Sequence, residues 1–197
     1  MLTHRSVARP HLQTFLAAKT ARPIPHPGGL VHDALVQACL DPEVLEIGHI
    51  DKAGSPPAEV DLGVITLLRQ DGPHWLDVVP SRRLRSLDEH ARFESTLRGL
   101  GLKPFTLNGE DILREPTFSS VRAVWSHRNH RTSFEMRLGV MRALADVVDM
   151  SLQELCAAVP GPDSPILAVL SLACANALEL DLRTHALGPN TRVRWRD

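Results

Sequence analysis

Two aspartates stand in the middle of apolar runs. Asp61 lies in Val60-Asp61-Leu62-Gly63-Val64-Ile65-Thr66-Leu67-Leu68, and Asp77 in Trp75-Leu76-Asp77-Val78-Val79. A carboxylate inside an apolar strand is costly to bury unless it meets a metal, a base or a donor. Strand alternation puts Asp77 and Val79 on one face and Leu76 and Val78 on the other. Two carboxylates a few ångströms apart on neighbouring strands would make a divalent-cation site suited to phosphodiester hydrolysis. The plainer reading is that each sits at a strand end or edge and is solvated.

Other chemistry is thinner. His127 and His130 stand at i, i+3, with no acid or cysteine at ligand spacing, and read as a surface pair beside Arg128 and Arg131. Gly99 and Gly101 read as a helix stop, not a phosphate loop. Ser81, Ser86 and His90 make no nucleophile–base arrangement. Cys39, Cys156 and Cys174 are far apart in apolar helical stretches and read as buried free thiols.

The elements that must position the aspartates follow from periodicity. Residues 1–28 hold Pro10, Pro23, Pro25 and Pro27 and read as a flexible arm with a short helical piece near 10–19. A helix from Gly29 stops at Asp41-Pro42. Three strands follow, through Val44–Ile50, Val60–Leu68 and Trp75–Val79, the last two joined by a turn at Arg69–Pro73. Ser86 and Glu89 form a capping box for a helix to Gly99, and Lys103–Leu107 is a short strand. A helical turn, Glu110–Arg114, closes an α/β core over 29–118. Residues 119–197 then read as a helical connector (Ser119–Asn129), three helices and two strands. Those helices are Phe134–Val147, one opened by a Ser151/Glu154 capping box, and Ile166–Leu178, opened by Asp163-Ser164-Pro165. Strands at Leu178–Leu182 and Arg192–Trp195 complete a winged-helix order.

Composition bounds the function. The chain has 197 residues, 43% hydrophobic and 23% charged, which suits a folded domain with its own core. It carries no apolar run long enough to span a membrane and no signal-peptide pattern, so a cytoplasmic protein without membrane partners is expected. With 22 basic and 23 acidic residues, five Phe, three Trp and no Tyr, it is neither a polyanion-coating protein nor a base-stacking platform. The total conceals segregation: residues 1–81 carry 6 basic and 9 acidic groups, 82–142 carry 12 and 7, and 143–197 carry 4 and 7. Arg82, Arg83, Arg85, Arg128 and Arg131 fall in the basic block, and such a patch suits phosphate contacts. The helix 164–178 contains no Lys or Arg, which argues against base readout and for packing on the core or a partner. Arg192, Arg194 and Arg196 on the last strand remain candidates for phosphate contact.

The order of these elements resembles the PD-(D/E)XK nuclease fold, and more narrowly the TnsA group of transposon endonuclease subunits. The stretches carrying the likeness are Leu40-Asp41-Pro42-Glu43-Val44, Val60–Val64, Trp75–Pro80, Gly101–Phe105, Glu110–Leu113, Leu178–Leu182 and Thr191–Trp195, within about 29–197. The resemblance implies a mixed sheet flanked by helices and a C-terminal winged-helix domain. It implies a protein acting on double-stranded DNA in a mobile-element assembly, with a transposase or other protein subunit as partner. Asp61 and Asp77 fall on the metal-binding and catalytic acids, and would hold Mg²⁺ or Mn²⁺ for strand cleavage. The family's lysine falls on Val79 and its first-helix acid near Val31, beside His32 and Asp33. Lys52, Arg82 or Arg83 could stand in for the lysine; otherwise the core is an inactive scaffold needing no cofactor. The alternative from another class is a regulatory protein acting through protein contacts alone.

Overall fold

The computed structural model describes residues 12–54, 59–145, 147–159, 161 and 164–196. The first eleven residues of the expected arm, and Asp163, lie outside these. The described part of the arm is not helical. It forms a small antiparallel hairpin, β1 (Gln13–Phe15) with β2 (Ile24–His26), and Thr20 bridges to Ile47. Prolines at 23 and 25 suit extended backbone at a sheet edge. Phe15, Ile24 and His26 are buried, so this segment belongs to the body of the protein. Lys19 is buried too and donates to the Asp41 carbonyl at 2.5 Å; burial, with Arg196 nearby, pulls its amine down to about 8.

The α/β half is built as α1 (Gly29–Leu40), β3 (Val44–Ala53), β4 (Val60–Arg69), β5 (Gly72–Val78), α2 (Leu87–Gly99) and β6 (Lys103–Leu107). The sheet order is β3-β4-β5-β6: two antiparallel pairings, then a parallel pairing reached through the α2 crossover. The β4–β5 turn is tighter than the five residues expected, because Arg69 pairs with Gly72, whose φ of 117° only glycine adopts easily. α1 and α2 cover opposite sheet faces. α1 buries Val31, Leu35 and Val36 against Ile47, Ile65, Leu67 and Leu76. α2, held by the Ser86–Glu89 capping box, buries Phe93 and Leu97, one turn apart, against Leu62 and Val64. The strand expected to reach Val79 stops at Val78; Val79–Ser81 is a 3₁₀ turn, so alternation no longer fixes where Val79 points.

α3 (Gly109–Ile112) and α4 (Thr117–Trp125) lead into α5 (Phe134–Leu144), β7 (Met150–Ser151), α6 (Leu152–Ala158), α7 (Pro165–Cys174), β8 (Leu178–Leu180) and β9 (Arg192–Trp195). A three-stranded sheet runs β7-β9-β8, the short β7 being unforeseen. α7 is buried from Ala168 to Cys174, against α4 and α1. One apolar cluster continues from α1 and the large sheet through α4 into α5–α7 and β8–β9. A polar joint reinforces it. Arg69 pairs with Asp41 (3.3 Å) and Glu43, and Arg183, beyond β8, reaches the same two carboxylates at 2.6 and 2.9 Å. Arg196 donates to the carbonyls of Pro42 and Val44. Arg196 therefore serves the joint and is not a free phosphate contact. Among the described residues, no helix is long and apolar enough to cross a membrane.

Candidate functional site

β4 runs in phase with β3 from Leu68 back to Val64, and then slips. Ile50 pairs with Val64, but Lys52 pairs with Asp61, so three steps along β4 answer two along β3. The slip falls at Gly63, whose φ of 54° is a left-handed conformation that a side chain would strain. Leu62 and Val64, on either side of Gly63, are both buried against Phe93 and Leu97 of α2, while Gly63 and Asp61 are exposed. Thr66 pairs with Trp75, which packs against the same cluster, so Asp77, two residues on, lies on the α2 face. Asp61, by contrast, stands between Val60 and Leu62, which both pack with α2, and a Cβ at Gly63 would come 3.9 Å from its Oδ1, so the two aspartates share an end of the sheet and not a face.

Their environments differ sharply. Asp77 is buried, its side chain 3% exposed. It pairs across the parallel ladder with Thr106, whose hydroxyl donates to Oδ2 at 3.0 Å. Arg82 closes the other side with a two-pronged contact, Nε donating to Oδ1 at 2.8 Å and a terminal nitrogen to Oδ2. Burial pushes the Asp77 carboxyl up, but the hydrogen bonds from Arg82 and Thr106, with the Arg82 charge, outweigh it and hold the group below the usual carboxylate range. Asp61, by contrast, is 61% exposed and accepts from Arg83 at 3.0 Å. So one aspartate is desolvated and satisfied, and the other is solvated.

Both line one cleft of about 870 Å³, where β4 begins and β5 ends. Its lining takes in Val64 and Trp75 of the sheet, Phe93 and Leu97 of α2, and Val31 of α1 with Pro25 and Pro27. Arg82, Arg83 and Arg85 come together here. Arg85 lies flat over the Phe93 ring at 3.8 Å and donates to the Leu62 carbonyl at 3.3 Å. Arg98 and Lys103 add positive charge to the lining; Asp51 and Glu94 add negative charge. Arg128, Arg131, Arg192 and Arg194 do not line the cleft. Arg128 donates to the Trp125 carbonyl, Arg131 is exposed, Arg192 pairs with Asp149, and Arg194 pairs with Glu179. Thr106 was missed in the sequence, because only the parallel β5–β6 register reveals that it faces Asp77.

The donors do not fit Mg²⁺ or Mn²⁺ as they stand. Both Asp77 oxygens are engaged by Arg82, one of them also by Thr106, and Asp61 is engaged by Arg83. Hard divalent ions need several free oxygen ligands. Among the described residues, no group of three His, Cys, Asp or Glu side chains is placed to hold a metal. The position expected for a first-helix acid is occupied by Val31, in the cleft lining. What the cleft offers is arginine N–H groups, aimed by carboxylates, beside an apolar lining.

The chain matches no family model and no curated protein.

Proposed function

We propose that this chain is a TnsA-like, PD-(D/E)XK-type subunit of a DNA-processing assembly of the mobile-element kind, which holds double-stranded DNA in the cleft without cutting it. The observation that carries this reading is the central sheet. A helix, an antiparallel three-strand meander, a crossover helix and a parallel fourth strand bring Asp61 and Asp77 to one end of two adjacent strands, beneath three arginines. The C-terminal order α5-β7-α6-α7-β8-β9, with the sheet β7-β9-β8, agrees with a winged helix. Cleavage is disfavoured because the carboxylates are already neutralised by arginine and the lysine position is Val79. Incubating the protein with supercoiled plasmid and Mn²⁺, beside a mobility-shift assay, tests the reading. Binding without nicking supports it. Nicking lost in Asp61→Ala makes the protein an endonuclease instead, and no binding at moderate salt rejects the DNA role.

A protein partner is favoured by a separate observation. Phe134 and Met141 stand exposed one heptad apart on α5, and Val148 follows at the same spacing. α7, which would read DNA in a winged helix, is buried in this chain. The transposase or other subunit of the same assembly is the proposed partner. A complex with it that survives in wild type and is lost in Phe134→Asp supports this role.

A further inference from the structure

We infer that Asp77 and Asp61 are positioning residues of a metal-independent phosphate clamp, in which Arg82 and Arg83 grip backbone phosphates of duplex DNA. The inference rests on the DNA-binding reading above and specifies how that site works. Asp77 is rigid: it is buried and held by Thr106 from the neighbouring strand. It engages Nε and one terminal nitrogen of Arg82. A guanidinium has five N–H donors in one plane, so about three remain on its outer edge. Arg82 is 55% exposed and lines the cleft, so that edge is open to a ligand. Arg83 spends one terminal nitrogen on Asp61 and is 69% exposed. Arg85 is fixed by stacking on Phe93.

Arg82 and Arg85 are therefore each tied down by a different group, and Arg83 between them is held more loosely by a single exposed contact with Asp61. A free arginine must surrender rotamer freedom when it takes a phosphate; a tethered one has surrendered it already. Planar two-pronged donation also suits phosphate oxygens. The carboxylates thus aim positive charge at the cleft, in the role that a bound cation would otherwise fill. Asp51 and Glu94 on the lining limit the net charge, so the contact is local and salt-sensitive.

The test is fluorescence anisotropy of a labelled DNA duplex titrated with the full chain, in EDTA and then in Mg²⁺. Equal affinity in both is expected. Arg82→Ala lowers affinity on the order of tenfold and reduces the salt slope by about 1. Asp77→Asn removes a negative charge, which by charge alone would strengthen DNA binding; the clamp requires a weakening of a few fold. Arg82→Lys keeps the charge and weakens binding similarly, and Asp61→Asn weakens it less. Asp77→Asn that binds as well as wild type or better overturns the clamp, as does binding that requires Mg²⁺. Should Asp77→Asn unfold by circular dichroism, Arg82→Lys and the exposed Asp61→Asn decide. Inorganic phosphate at the DNA's own phosphate concentration leaves binding unchanged; displacement there assigns the clamp to a small phosphate ligand and overturns its DNA role. Wild-type protein that ignores duplex DNA rejects the functional reading together with the clamp. Binding indifferent to Asp77 and Arg82 rejects the clamp alone.

Discussion

Two arginine–carboxylate networks among the described residues stand in contrast, one at the joint between the halves and one in the cleft. At the joint, Arg69 is 9% exposed and shares Asp41 and Glu43 with Arg183, while Arg196 is spent on backbone carbonyls. In the cleft, Arg82 and Arg83 each meet one carboxylate and face solvent with the rest of their donors. The same chemical pair therefore does two jobs. Where the network crosses between the halves, it fastens segments together. Where it stays within one half, the carboxylate orients a cation for something else. Exposure of the arginine does not distinguish the two, since Arg183 is 53% exposed and Arg82 55%; what differs is that Arg183 ties segments 140 residues apart, whereas Arg82 pairs with a carboxylate five residues away.

This contrast can be broken most severely at the joint. Asp41→Ala leaves Arg69 buried with fewer partners and frees Arg183, and costs about 3 kcal/mol, read from urea unfolding. DNA affinity of the folded variant stays unchanged, because the joint does not line the cleft. Gly63→Ala is next. It forces a side chain into a left-handed conformation, costs about 1–2 kcal/mol, and weakens DNA binding by misplacing Asp61 and its arginine.

The third prediction is pH dependence. The folded-state carboxyl of Asp77 is held below its unfolded value. Its contribution to stability is therefore complete above about pH 4, the ordinary aspartate value. It is lost as pH falls through the lowered folded value. Asp77→Asn flattens this acid limb in denaturation curves taken from neutral pH downwards, and an unchanged limb would show that Arg82 does not stabilise the charged form. The smallest effect belongs to Arg83→Ala. Its exposed, screened pair contributes about 0.5 kcal/mol or less, while DNA binding still falls, so stability and function separate at this residue.

Much of this architecture is visible in local sequence, and the exceptions share a cause. The capping boxes at Ser86 and Ser151, the Asp41-Pro42 stop and the apolar runs of β4 and β5 are short-range signals, and each marks its element. β1 and β2 are not visible, because their pairing and the Thr20–Ile47 bridge are non-local and the prolines read as loop. The aspartates are conspicuous as charges in apolar runs, yet their burial follows no local rule. Asp61 is solvated beside an exposed Gly63, and Asp77 is buried where the parallel neighbour β6 supplies Thr106. The basic block of residues 82–142 is real in sequence, but of its twelve cations only Arg82, Arg83, Arg85, Arg98 and Lys103 line the cleft. The others are dispersed by the helices that carry them.

The joint also bears on the order in which the chain acquires its structure. Arg183 meets Asp41 and Glu43 across 142 and 140 residues, and Arg196 meets Val44 across 152. Closing loops of that size is slow relative to forming local hairpins and helices. During synthesis these arginines leave the ribosome long after α1 and the large sheet have been made. The nascent α/β half must therefore wait, with the carboxylates of Asp41 and Glu43 answered by Arg69 alone, until the segment after β8 arrives with Arg183 to complete them.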